Sequence, residues 1–137
     1  MKKNNRKRGK QPKPFDSWLE FDLYQGHLSA CSFHPPMIEY TQTRKYEPDF
    51  VIEEEGKTIF IETKGRFRDR QESRKYVDVA ASLSDNEELV FIFMNSKLAM
   101  PHVRRRKDGT KLSHGDFAAK NNIRFYDLYN IPTSWRK

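Results

Sequence analysis

Short apolar stretches separated by polar, turn-forming residues set the frame of this chain. Asp49-Phe50-Val51-Ile52-Glu53 and Thr58-Ile59-Phe60-Ile61-Glu62 are rich in β-branched and aromatic residues, the types that suit a pleated, half-buried surface. Between them Glu54-Glu55-Gly56-Lys57 supplies the glycine and polarity of a hairpin turn. With Glu55-Gly56 as the two central turn residues, the strands pair so that Asp49 stands opposite Glu62. Ile59, Phe60 and Ile61 in succession imply a strand covered on both faces, with Glu62 ending a core strand. Leu89-Val90-Phe91-Ile92-Phe93-Met94 is continuously apolar and short. That is the mark of a buried central strand, parallel to a neighbour because a helix precedes it.

Helical spacing appears in three places. Trp18, Leu19, Phe21 and Leu23 give a first helix a wide apolar face, and Ser17 and Glu20 have the spacing of a capping box. A basic stretch from Arg66 to Lys75 leads into a second helix through Tyr76, Val77, Val79, Ala80 and Leu83, closed by Asp85-Asn86. Ser113 is placed to cap a short third helix through Phe117, Ala118 and Ala119. Pro35-Pro36 stiffens the approach to Met37-Ile38-Glu39-Tyr40-Thr41, a predicted strand, and Ile123-Arg124-Phe125-Tyr126 is a predicted last strand. The predicted order is helix, strand, strand, strand, helix, strand, helix, strand. This is an α/β chain with a small mixed β-sheet flanked by helices.

Length and charge narrow the class. The 137 residues suffice for one domain with tails, and 36% hydrophobic residues can build a modest core. The formal net charge of +7 is concentrated: Lys2, Lys3, Arg6, Lys7, Arg8, Lys10 and Lys13 crowd residues 1–14, and Arg104-Arg105-Arg106-Lys107 form a second cluster. Such density draws phosphate polyanions through counterion release, making nucleic acid the expected partner. Residues 1–14, with Gly9, Pro12 and Pro14 and no apolar period, are expected to form a flexible basic arm. Cys31 is the single cysteine, which excludes a disulfide framework and a cysteine zinc cage. Neither a membrane span nor a signal-peptide hydrophobic region is evident. A soluble, cytoplasmic protein without a small-molecule cofactor is the expectation.

The hairpin also carries candidate chemistry. Side chains alternate along a strand and cross-strand partners share a face, so Asp49, Glu62 and Lys64 are predicted to point the same way. Two adjacent carboxylates repel unless a cation lies between them. Oxygen ligands without nearby histidine or cysteine suit magnesium, with manganese as a substitute, better than zinc. Such an ion polarises a phosphate ester and helps ionise an attacking water. The same three residues would also make an ordinary solvated hairpin surface, and Glu20 an ordinary helix cap.

A set of ordered landmarks is more specific than any one of these motifs. Ser17-x-Leu19-Glu20, Tyr46-x-Pro48-Asp49-Phe50, Ile61-Glu62-Thr63-Lys64-Gly65, Arg74-Lys75, Ser113-x-Gly115-x-Phe117, Asn122-Ile123-Arg124-Phe125 and Ile131-Pro132-x-x-Trp135 run through residues 17–135. In this order the chain resembles the phage endonuclease I family of junction-resolving enzymes, within the PD-(D/E)xK nuclease superfamily. The resemblance implies a restriction-endonuclease-like core and a metal-dependent endodeoxyribonuclease that resolves four-way junctions and other branched DNA. It implies Asp49 and Glu62 as metal-binding carboxylates, Lys64 as the catalytic lysine, Glu20 as a third acidic residue and the Thr63 carbonyl as a further metal ligand. It further implies a homodimer in which residues 15–45 cross to the partner, so that Glu20 of one chain completes the other's site. Candidate phosphate contacts are Arg66, Arg68, Arg70, Arg74, Lys75, Lys97, Arg104, Arg105, Arg106 and Lys107, which would position DNA without reading its sequence. A superfamily nuclease acting on linear or nicked duplex, and a non-catalytic basic DNA-binding protein, stand as alternatives.

Overall fold

The hairpin turn closes where the sequence places it. Glu55 and Gly56 both have positive φ, +50° and +79°, the conformation a two-residue turn needs to match the twist of its strands. Gly56 meets that demand without strain. The turn fixes an antiparallel register, Phe50 opposite Ile61 and Glu54 opposite Lys57, between β1 (Phe50–Glu54) and β2 (Lys57–Lys64). These elements belong to a computed structural model that describes residues 8–137. Lys2, Lys3, Arg6 and Lys7 of the predicted arm lie outside the described residues.

The chain divides into two compact units, residues 1–43 and 44–137. In the second, the four strands lie in the order β1-β2-β3-β4, with β3 (Glu87–Phe93) parallel to β2 and β4 (Arg124–Asp127) parallel to β3. Parallel neighbours require crossover connections. Helix α2 (Arg70–Ser82) supplies the first and α3 (His114–Lys120) the second. Asp69 caps α2 by accepting from the Glu72 amide, and Ser113 with Asp116 forms a reciprocal capping box on α3.

Strand alternation sends side chains to two apolar layers. Phe91 and Phe93 on one face pack with Phe67, Tyr76, Met100 and Ala118, the layer that α2 and α3 cover. Ile59, Ile61, Val90 and Ile92 on the other face are covered by Ile131 and Trp135 near the carboxyl end. Gly115 is required for the close approach of α3 to the sheet: a Cβ there would stand 3.0 Å from Phe125 Cζ.

The first unit is built differently. Helix α1 spans Trp18–Gly26, and no described residue of this unit is buried. Arg8 pairs with Asp22 at 2.7 Å and stacks over Trp18, whose indole donates to the Gly9 carbonyl. The predicted strand at Met37–Thr41 does not form. The segment belongs to no strand, and Met37, Ile38 and Tyr40 are 98%, 88% and 82% exposed. A strand needs a partner for its backbone groups, and none is supplied among the described residues.

Candidate active site

Glu62 ends the core run of β2 and is buried, 7% exposed. A carboxylate taken out of water must be hydrogen-bonded. Here the Tyr46 hydroxyl donates to Oε2 at 2.6 Å and the Tyr76 hydroxyl to Oε1 at 2.7 Å. Tyr76 comes from the inward face of α2 and Tyr46 from the segment entering β1, so strand, helix and connection meet at one carboxylate. The two rings pack edge to face.

Lys64, two residues on, shares the face of Glu62. Its Nζ lies 2.9 Å from Glu72 Oε1, donates to the Tyr76 hydroxyl at 3.1 Å and lies 3.5 Å from Glu62 Oε1. Burial by itself would lower the lysine pKa, but the hydrogen bonds to Glu72 and Tyr76 and the surrounding negative charge outweigh it and hold the pKa above the ordinary value. Burial, followed by the bond to Glu62, pushes Tyr76 up to about 12. Tyr46 is raised as well, by burial first, then by its bond to Glu62 and by nearby charge including that of Asp49. Around neutral pH the cluster therefore holds an ammonium and two neutral phenols that donate to Glu62.

Asp49 stands immediately before β1, in the predicted register but outside the regular ladder. It is exposed, and its Oδ2 accepts from the Thr63 amide and from the Thr63 hydroxyl, both at 2.9 Å. The contact ties the entry of β1 to the stretch of β2 between Glu62 and Lys64. Glu20 lies in the first unit, where its amide is capped by Ser17 and its Oε2 accepts from the Asp16 amide at 3.0 Å. Among the described residues, Asp16, Glu20 and His34 bring ligand atoms within 4.8 Å of one another. The two carboxylates there are accounted for by the start of α1, where unpaired amides favour negative charge.

Sequence reasoning missed Glu72 as a partner of Lys64, and it read Tyr76 only as part of an apolar helix face. Both lie on α2, eight and twelve residues beyond Lys64. No motif spacing connects them to it; the chain must turn from β2 into α2 before they meet. Tyr46 stood in a landmark next to Asp49, which was its only signal.

All the basic candidates, Arg66, Arg68, Arg70, Arg74, Lys75, Lys97, Arg104, Arg105, Arg106 and Lys107, are exposed. Lys75 also lies over the Tyr46 ring at 5.3 Å, and Arg68 reaches Glu72 at 3.4 Å. Arg70 donates to the His102 carbonyl, Arg105 to the Gly109 carbonyl, and Arg106 pairs with Asp116 at 3.6 Å. No helix among the described residues is long and apolar enough to cross a membrane.

The donor set fits a hard divalent cation. Both carboxylates offer oxygen only, and one hydrogen bond on each Glu62 oxygen leaves further lone pairs on each. The end of β2 thus carries a tyrosine-held carboxylate and a charged lysine, and a second carboxylate stands immediately before β1. The chain belongs to the phage endonuclease I family, whose pattern matches residues 1–137, its whole length. It is accordingly an endonuclease with DNA as its substrate class. No curated protein matches the chain.

Proposed function

We propose that this endonuclease is a magnesium-dependent, structure-selective deoxyribonuclease that resolves four-way junctions and other branched DNA by hydrolysis. The observation that carries the chemistry is the buried Glu62 carboxylate, fixed on both oxygens by Tyr46 and Tyr76 and adjoined by Lys64. Glu62 and Asp49, with the Thr63 carbonyl, would hold the ion, and manganese would substitute. A bound divalent ion supplies polarisation of a non-bridging phosphate oxygen and acidification of water. Lys64, kept charged by Glu72, donates to the phosphate or to the attacking water as negative charge grows on the phosphorane. Tyr46 and Tyr76 prevent Glu62 from swinging away, so the carboxylate is preorganised before substrate arrives.

A four-way junction must be cut on two opposed strands, which a twofold homodimer matches with two equivalent sites. In support, the first unit leaves Met37, Ile38 and Tyr40 uncovered, and α1 buries none of its residues. Exchange of residues 15–45 between subunits would cover this apolar surface and carry Glu20 to the partner's site.

The decisive assay incubates the protein with a four-way junction or a matched linear duplex and magnesium, beside Asp49→Ala and Glu62→Ala. The reading expects preferential junction cutting by the native chain and binding without cutting by both variants. Equal cutting of the two substrates removes junction selectivity, and binding without any cutting by the native chain removes the enzyme.

A further inference from the structure

We propose that Met94, Leu128 and Tyr129 form an apolar platform at the carboxyl edge of the sheet, one position beyond Lys64, on which an unpaired base of branched DNA stacks. The inference rests on the nuclease reading above and names the feature of a branch that this edge of the sheet would grip.

Parallel strands bring their carboxyl ends to one edge. The register aligns Lys64 with Phe93 and Phe93 with Asp127. The next residues, Gly65, Met94 and Leu128, therefore follow one another across that edge, and Tyr129 comes one position later. The Met94 amide donates to the Lys64 carbonyl at 3.1 Å. Gly65 leaves room above its backbone: a Cβ there would sit 3.6 Å from the Met94 methyl. Met94 thus lies against the residue that follows the candidate catalytic lysine.

These side chains are open to solvent, Met94 at 65%, Leu128 at 54% and Tyr129 at 93%. Tyr129 makes no hydrogen bond or ring contact among the described residues. Yet the backbone that presents it is well held. Asp127 accepts the Ser96 amide and the Ser96 hydroxyl, each at 2.7 Å, and its own amide donates to Asn130 Oδ1 at 2.8 Å. The Asn130 amide returns to the Asp127 carbonyl at 3.1 Å, closing a turn with Leu128 and Tyr129 at its tip. The turn fixes the backbone position from which Tyr129 projects its exposed ring.

Charge selects the occupant. Exposed Arg66 follows Gly65, and exposed Lys97 follows Ser96, so cationic groups flank the apolar strip. A nucleotide matches this arrangement, since its phosphate is anionic and its base offers an apolar π-face. In a continuous duplex each face is already stacked on a neighbouring pair. At a branch point the stack is interrupted, and a face becomes free for Tyr129 and Met94. Such a contact would favour branched over linear DNA while reading no sequence.

The test uses the full chain in calcium, with a four-way junction carrying a fluorescent adenine analogue at the branch and a linear duplex carrying it internally. A base stacked on an aromatic ring gains enough that its loss should reduce the junction-over-duplex preference about tenfold. Tyr129→Ala and Met94→Ala are expected to show that fall and to lose the branch-point fluorescence change. Tyr129→Trp is expected to retain both, and melting temperatures to stay at the native value. An unchanged preference in the alanine variants overturns the platform, as does loss in Tyr129→Trp equal to that in Tyr129→Ala. A fall that accompanies conversion to monomer on size-exclusion chromatography assigns the strip to contact between copies and also overturns it. A native chain without junction preference overturns the branched-DNA reading itself, whereas a selective native chain with unaffected variants overturns the platform alone.

Discussion

The Tyr76 hydroxyl donates to Glu62 Oε1 at 2.7 Å while accepting from Lys64 Nζ at 3.1 Å, so one phenol on a helix fixes both a carboxylate and an ammonium at the end of a strand. Tyr76→Phe keeps the ring in the core and removes only that link. The variant should unfold more easily by about 1.5–3 kcal/mol, the range for a hydrogen bond to a charged group. Urea denaturation measures this, and an unchanged midpoint would show that the bond adds nothing to stability.

Glu72 approaches Lys64 more closely than Glu62 does, 2.9 Å against 3.5 Å. Glu72→Gln keeps the shape but removes the charge that steadies the ammonium. Single-turnover cleavage at saturating DNA should slow by about tenfold to a hundredfold, the scale set by misplacing a reacting group. Junction affinity in calcium should stay within twofold of native by fluorescence anisotropy. A cleavage rate equal to native would separate Glu72 from the function of Lys64.

Alkaline pH should loosen the same cluster in the metal-free protein. Tyr76 rises from 10.0 to about 12 through burial first and then its bond to Glu62. The folded chain therefore holds this proton more tightly than the unfolded chain. The associated stability is complete below about pH 10 and disappears as pH climbs towards about 12. Melting temperature against pH should show the decline in that window, and Tyr76→Phe should make it shallower, the remainder belonging to Tyr46 and Lys64, which are raised as well.

His114 is fully buried, and its ring stacks on Phe67 at 5.0 Å between centroids. Its Nε2 accepts the Phe67 amide at 3.0 Å and its Nδ1 meets the Leu98 carbonyl at 2.7 Å. The imidazole therefore joins the connection after Lys64 to the one after β3. His114→Ala leaves a cavity and an unsatisfied Phe67 amide, while the Leu98 carbonyl keeps the His114 backbone amide as a donor. The expected loss is about 2–5 kcal/mol in urea denaturation, with faster amide exchange at Phe67.

Gly115→Ala should also destabilise the fold, because its Cβ would press on Phe125 at 3.0 Å and on Ser96 Cβ at 3.2 Å. An overpacking cost of about 1–3 kcal/mol is expected. A melting temperature at or above native would mean that α3 can retreat from β4 at no cost.

Local chemistry made much of this molecule legible from its residues. Glu55-Gly56 sets the turn, the turn sets the register, and the register sets Asp49 opposite Glu62. Ser113 and Asp116 announce α3, and the apolar run through Phe93 announces a central strand that is parallel to β2 as expected. These features depend on backbone conformation and on side-chain period, both of which act over a few residues. The strand expected at Met37–Thr41 failed because propensity supplies shape but not a partner.

The sequence by itself determined the hairpin, the elements of the mixed sheet and the acidic and basic groups available for phosphodiester chemistry. Only the tertiary structure decided what surrounds them. It buried Glu62 beneath Tyr46 and Tyr76, joined Lys64 to Glu72, turned the Asp49 carboxylate onto Thr63 and lined up Met94 with Leu128 at one edge. Each of these relations spans a chain reversal or a crossover, and hydrogen bonds and burial act on distance in space, to which separation along the chain is a poor guide.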